Sequence, residues 1–561
     1  MNVLLFSMPD SFEHMPALAI RMPNGALSSL AGNVDPHHRV AIADLILVQD
    51  RVRETIERLV QQHKPDVVGL SIMTFQRRTA QKIARLIRTL EPSIKLVVGG
   101  YDPSLAPEAY SGPDFDVDFI VRGEGEATFR ELLRALESGQ VRLKHAPSGR
   151  PSTSNAQSEV RPSTGSGRTE SKGSGRTVEG PDTTGEGRDP VRLKPDTTAE
   201  GLDGIAGLSY RTPAGMRHNP DRAVSDLKAN DIQPPNRTAR VLRGYTMLGR
   251  QVDVVETSRG CTYDCSFCSI VEMRGRNFHT YAIDRVIADV ADARAHGACA
   301  IFLIDDNITL DVGRFAKLCQ AMIDARLDDI DYTVQAMTSA IAAHGDTLAP
   351  LMRRAGFRYV FLGIENIVPV DLVFLRAAAK NAVREDGRTI GNAAVKAVDV
   401  LHRHGMFVVG GLIVGNPDDT RESVEANLDF ARRYVDWPYI QHPTPYPRTP
   451  MTKEFRNRGL IVSEDLQEYD GTTAVVRSEY LAAEEAEFMR WKAERWMKVR
   501  HMPAAVAHDP VFVVTHAWRM LRHTFRGTTL RTWLGLEDER RAFERYRAIR
   551  RAERDYVAVS P

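Results

Sequence analysis

Two rhythms of apolar and polar positions divide the chain. In the first, short and almost wholly apolar runs at 2–8, 39–47, 66–73, 94–99 and 118–121 alternate with stretches at 26–31, 52–63, 79–90 and 127–136 in which apolar residues recur every three or four positions. Runs without polar alternation predict strands buried on both faces, and the intervening spacing predicts helices lying over them. The expectation is an α/β unit over residues 1–140, a doubly wound, Rossmann-like parallel sheet. Such sheets bind ligands beyond the carboxyl ends of their strands, here Pro9 and Asp10, residues 71–74, and Gly99 with Gly100.

The second rhythm runs from 252 to about 450. Six apolar runs, VDVVETS, AIFLIDD, YTVQAM, YVFLGIE, FVVGGLIVG and YIQHPTP, are separated by helical spacing at 283–296, 312–325, 348–355, 390–404 and 420–434. Six strands with a helix after each of the first five predict a partial (β/α)6 barrel over 251–455, whose chemistry sits in loops at the carboxyl ends of the strands. Between the two units, 141–203 is low-complexity: within 145–202 there is no Phe, Tyr or Trp, and GSGRT, PDTT and VRLK each recur. That composition cannot bury enough apolar surface to offset its ordering entropy and predicts a disordered insertion. Residues 204–250 read as a linker or subdomain, and 456–561 as a helical C-terminal region.

Composition narrows the class. With 74 basic and 73 acidic residues the net charge is +1, so no global field attracts nucleic acid, and no nucleic-acid partner is expected. The basic and aromatic stretch 511–547 is compatible with weak membrane-surface contact, although such patterns are mostly solvated helix faces. No apolar run reaches the roughly 18 residues of a membrane span, and the N-terminus lacks a secretory leader, so a cytoplasmic location is expected.

Five cysteines are too few for a disulfide framework in 561 residues, and Cys261, Cys265 and Cys268 fall in one C-x3-C-x2-C loop after the first strand of the second unit. Thiolates are soft ligands suited to iron–sulfur clusters or zinc. A closed zinc site or an all-cysteine cluster uses four protein ligands, whereas this loop offers three and leaves a metal position open for chemistry. Cys299 and Cys319 read as small buried apolar residues. A zinc knuckle completed by a nearby His or Asp is the competing reading.

The triplet, with aromatic Phe267 before its last cysteine, resembles the signature of the radical S-adenosylmethionine (radical SAM) superfamily. The resemblance implies that the three cysteines hold a [4Fe–4S] cluster whose open iron binds S-adenosylmethionine (SAM), and that reduction cleaves SAM to a 5′-deoxyadenosyl radical. It also implies an electron donor such as flavodoxin or ferredoxin. Asp305, Asp306 and Asn307 (FLIDDN) resemble the segment that receives the amino end of SAM, with acid–acid–amide where Gly-Gly-Glu is common. Glu365 resembles a polar residue beside the ligand, the alternative being a salt bridge closing the barrel. Gly411 and Gly415 (GLIVGNPD) resemble the glycine-rich approach to the adenine, the alternative being an ordinary strand-to-helix turn. PYPRT at 445–449 resembles a proline loop that shapes the substrate pocket.

LSIMT, VVGGYDP and VRGEGEAT in the first unit resemble cobalamin-binding domains that precede such barrels. The resemblance implies that Ser71 and Thr74 contact the nucleotide tail of cobalamin and that Gly99 and Gly100 permit its close approach. The D-x-H-x-x-G motif that supplies a cobalt-ligating histidine in many cobalamin proteins is absent. Asp10 and His14 stand at a different spacing, and His37 and His38 precede a strand. Cobalamin is therefore expected without a protein histidine ligand. The implied activity is methylation of an unactivated carbon in a small-molecule or lipid substrate, with one SAM methylating Co(I) and another supplying the radical. An oxidative cyclase or rearrangement enzyme built from the same parts, or a non-catalytic cobalamin or metal sensor, are the rival readings.

Overall fold

The computed structural model describes residues 1–11, 20–112, 115–139, 201–228, 231–385, 388–508, 531–532, 534–552 and 555–558, with isolated positions between 510 and 517. Apart from 201–202, the insertion expected at 145–202 lies outside the described residues, as do His14 and much of 511–547.

The first sheet has seven strands in the order Arg39–Asp44, Asn2–Ser7, Val67–Ser71, Lys95–Gly99, Phe119–Val121, Leu208–Thr212, Gly215–His218. The first five run parallel and the last two antiparallel. The apolar runs are continuous because both faces are covered. One buried cluster contains Leu4, Phe6, Val68, Leu70, Leu96 and Val98, and the other Val3, Leu5, Val67 and Val97. Helices Val52–His63 and Arg77–Leu90 pack into the first cluster, and Gly25–Gly32 and Gly125–Glu137 into the second. Residues 208–218, read from sequence as linker, instead extend this sheet as an antiparallel hairpin.

The second sheet carries six parallel strands in chain order: Arg250–Val255, Ala300–Leu303, Asp331–Met337, Phe357–Glu365, Phe407–Ile413 and Trp437–Gln441. Its first and last parallel strands do not pair, so the barrel is partial. The short strand Thr246–Met247 runs antiparallel to Arg250–Val255 and pairs on its other side with Ile20–Arg21 from the first unit, which knits the two halves together. Two helices differ from the sequence pattern. Thr338–Arg354 begins ten residues before the expected start at 348, in a small-residue stretch with no apolar stripe to mark it. Ala394–Arg403 begins late because Ala382–Glu385 and Arg388–Asn392 pair as antiparallel strands instead.

The C-terminal region is helical over Ala483–His508 and Glu539–Arg551. Buried Arg550 reaches Asp470 at 2.5 Å, fixing the last helix to the barrel's edge. The chain's end returns to the first unit, where Arg53 donates to the carbonyl of Val557 at 2.7 Å and Lys82 pairs with Asp555 at 3.1 Å. Among the described residues no helix is long and apolar enough to cross a membrane.

Candidate functional site

The cysteine loop begins where the first barrel strand ends. Thr257 and Ser258 are fixed by Asp305 at the end of the neighbouring strand, whose carboxylate accepts from the Thr257 amide at 2.6 Å, the Thr257 hydroxyl at 2.5 Å and the Ser258 hydroxyl at 2.6 Å. Burial pushes the Asp305 carboxyl up to about 6 despite these donors. Gly260 follows with φ +87°, and a Cβ there would lie 2.5 Å from the carbonyl oxygen of Asn277. Only glycine takes this conformation and this approach without strain. The Gly260 amide donates to Asp306 at 2.7 Å.

The loop is then pinned from two sides, as the Ser266 amide donates to Leu375 at 3.0 Å and its carbonyl accepts from Met451 at 2.9 Å. Phe267 packs against the apolar cluster around Leu372, Leu375 and Phe455. Cys265 is buried, and Cys261 and Cys268 are partly so. Burial raises the Cys265 and Cys268 thiols to about 11 and about 12, so loading a metal must displace their protons. Lys380 opposes that rise. It pairs with Glu365 at 2.7 Å and lies 6.0 Å from the centre of the Phe267 ring.

Asn307 stands beside the loop, with its amide nitrogen 4.0 Å from the Cys261 sulfur and 3.8 Å from that of Met337.

A cavity of about 270 Å³ opens beside this loop and penetrates the first unit. It runs between the sheet and the helices Gly25–Gly32 and Gly125–Glu137, and is lined there by Gly69, Ser71, Gly99 and Gly100. Its other wall is Glu256, Arg259, Arg274 and Asp306 from the barrel. The volume is just below the roughly 300–1,000 Å³ of small-molecule pockets. Gly100 has φ +101°, and a Cβ there would meet the Ile72 oxygen at 2.9 Å. Ser71 accepts from Asn24 at 3.2 Å at the mouth of the cradle.

Family models match both halves: a B12 binding domain over residues 15–133 and the radical SAM superfamily over 255–431. The chain belongs to the cobalamin-domain radical SAM enzymes. It is 25% identical over 496 residues to an uncharacterized methyltransferase of Pyrococcus horikoshii, covering 88% of this chain and 91% of that one. It is 23% identical over 440 residues to an anaerobic magnesium-protoporphyrin IX monomethyl ester cyclase of Rubrivivax gelatinosus, covering 77% of this chain but only 64% of that one. The fold is also that of the radical SAM methyltransferase TsrM from Kitasatospora setae, solved with cobalamin and a [4Fe–4S] cluster. The TM-score is 0.57 at 19% identity, over 82% of this chain and 78% of that one.

In this radical SAM enzyme the residues singled out from sequence divide into groups. Cys261, Cys265, Cys268, Phe267, Asp306, Asn307 and the Glu365–Lys380 pair surround the loop. Asp305 is turned to the scaffold, where its carboxylate accepts hydrogen bonds from Thr257 and Ser258. Glu365 takes φ +60° at a bulge and makes the salt bridge that was its alternative reading. Gly411 lies against Phe361, where a Cβ would sit 3.0 Å from the ring. Gly415, at φ +98°, donates to Asp419 at 2.8 Å and opens a turn. Ser71, Gly99 and Gly100 line the cavity, whereas Thr74 is buried in a turn and is not part of the lining. Cys319 is buried, but Cys299 is exposed, at the rim where the second barrel strand starts, its sulfur 3.5 Å from the Gln251 carbonyl.

Sequence reasoning missed Gly69, Lys380 and Arg259. Arg259, two residues before Cys261, is 4% exposed and reaches across to the first unit. It binds Glu126 at 2.7 Å and Glu256 at 2.7 Å and lies 3.5 Å from Glu124. Burial alone would raise the Glu126 carboxyl, but Arg259 and the Ser29 hydroxyl hold it down at about 2. Its only sequence signal was the charge itself, inside an otherwise buried TSRGC turn.

Proposed function

We infer that the chain is a cobalamin-dependent radical methylase acting on an unactivated carbon of a small molecule. The observation that carries this reading is a single cavity walled on one side by the Ser71, Gly99 and Gly100 cradle and on the other by residues of the cysteine loop's own scaffold. When bound, the cluster supplies the electron that cleaves SAM and cobalamin serves as the methyl carrier. The protein's part is placement. Cys261, Cys265 and Cys268 would hold the cluster, and Gly260, tied to Asp306, sets the start of the loop. Asp306 and Asn307 would offer polar groups to the amino end of SAM and Glu365, held by Lys380, a polar group beside the ligand, while Gly411 and Gly415 would keep the adenine side free of Cβ atoms. Arg259 holds the corrinoid unit against the radical unit, which fixes the distance between the two chemistries.

The methyltransferase relative that spans most of the chain favours methylation. A hydrophobic or lipid substrate is supported by exposed Val511, Val514, Leu534 and Leu536 in the C-terminal region, which would also give weak contact with a membrane surface. The electron donor is of the flavodoxin or ferredoxin class. The cyclase relative supports a second reading, in which the same parts oxidise and close a ring. Anaerobic turnover with a low-potential reductant, followed by product analysis, separates the readings. Methylation yields S-adenosylhomocysteine together with 5′-deoxyadenosine; deoxyadenosine alone favours the cyclase, and no reductant-dependent cleavage of SAM favours a sensor.

A further inference from the structure

The carboxyl ends of the first sheet face the cavity, and its opposite edge carries a second constellation. His37 and His38 immediately precede the strand Arg39–Asp44, and Glu137 is the last residue of the helix Gly125–Glu137. The ligand atoms of His37, His38 and Glu137 all lie within 4.8 Å of one another, and among the described residues they form the one such group of three. His37 Nε2 is 2.9 Å from a Glu137 carboxylate oxygen, and the two imidazole rings are 4.1 Å apart.

His38 supplies an independent sign. It is 7% exposed, its Nδ1 is taken by the Met1 nitrogen at 3.1 Å, and its Nε2 is buried with no hydrogen-bond partner. A buried ring nitrogen without a partner is left with its desolvation uncompensated. Coordination to a cation is one way to satisfy it. Asp35, beside the histidines, adds negative charge, largely matched by Arg134, which pairs with it at 2.6 Å.

We propose that His37, His38 and Glu137 form a site for a first-row divalent cation of the zinc class. Two imidazoles and a carboxylate are a borderline donor set that suits such ions, and three protein donors leave room for water in the remaining positions. Tetrahedral geometry needs donor separations near 3.4 Å for bonds of about 2.1 Å, a small contraction that exposed His37 and Glu137 can make. The site bridges the helix Gly125–Glu137, whose first turns line the cavity, and the edge strand Arg39–Asp44. The metal ties the far end of the helix whose first turn carries Gly125 and Glu126 to the strand that ends in Asp44. It acts as a brace on the corrinoid unit, remote from the cysteine loop.

The test uses tag-free, full-length enzyme with the cluster already reconstituted, so that Cys261, Cys265 and Cys268 are occupied. Wild type and the double variant His37→Ala/Glu137→Gln are titrated with Zn²⁺ by calorimetry and with Co²⁺ by its visible ligand-field bands. Both substituted side chains are exposed, so the fold survives, and equal iron content in the two proteins checks this. Wild type is expected to take up one more equivalent than the variant, or to bind the same equivalent at least about tenfold more tightly. Equal stoichiometry and affinity in the two proteins overturns the site. Zn²⁺ is also expected to slow amide exchange across 125–137 in wild type; uptake without that slowing overturns the bracing role while leaving the site.

Discussion

Arg259→Met is the most informative substitution in the chain. It removes a guanidinium that is buried between Glu126 and Glu256 and stranded from water. The side chains of Arg259 and Glu126 are 5% and 7% exposed, so solvent screening offers little relief. Breaking a buried pair by deleting one partner costs about 3–5 kcal/mol. An independent figure comes from Glu126, whose carboxyl sits at about 2, a depression worth roughly 3 kcal/mol relative to the ordinary glutamate value. The sign follows from linkage: a depressed folded-state value gives stability that is full above about pH 4.5 and lost as the pH falls through about 2. The assay is a double-mutant cycle of Arg259→Met and Glu126→Gln, read by anaerobic urea unfolding at pH 7. A coupling of about 2–3 kcal/mol is expected, with the double variant more stable than Arg259→Met alone. Additivity within about 0.5 kcal/mol would refute the claim that this pair latches the two units.

Further consequences follow from single contacts. Gly260→Ala forces a side chain into φ +87° and against Asn277; strain of about 1–3 kcal/mol falls on the loop, and iron loading under anaerobic reconstitution is expected to drop while far-ultraviolet dichroism stays unchanged. His442 is fully buried beside Arg490, and burial followed by that guanidinium lowers its imidazole to about 3. Because it stays neutral in the fold but titrates near 6.5 when unfolded, stability is expected to fall by about 1.4 kcal/mol per pH unit below 6.5; melts of His442→Gln should show a flatter slope. Burial and Asp419 hold the Asp371 carboxyl well above the usual range, so its neutral form is favoured and stability is lost as the pH rises. Asp371→Asn is expected to be near neutral below about pH 4 and to raise the melting temperature progressively as the pH rises toward about 8.

The parts of the fold legible in the sequence were those whose chemistry is local. Parallel strands covered on both faces give unbroken apolar runs, so VVGLS and KLVVG were readable without partners. The cysteine loop was readable because its three sulfurs lie within eight residues. What escaped depended on residues far apart in the chain. Arg259 is 133 positions from Glu126, and neither charge looks unusual alone. Asp305 was grouped with Asp306 and Asn307 by adjacency, yet successive residues leave a strand end in different directions, and Thr257 and Ser258 capture it. Gly69 sits mid-strand, where sequence alone reads a weak strand position rather than the wall of a cavity.

The claim that matters most is an open iron corner on a cluster held by Cys261, Cys265 and Cys268. Electron paramagnetic resonance of the anaerobically reconstituted, dithionite-reduced enzyme tests it directly. A [4Fe–4S]⁺ signal that changes on adding SAM and disappears in a variant with all three cysteines replaced by alanine is the expected result. A signal indifferent to SAM, or a protein that retains zinc and takes up no cluster, would contradict the account.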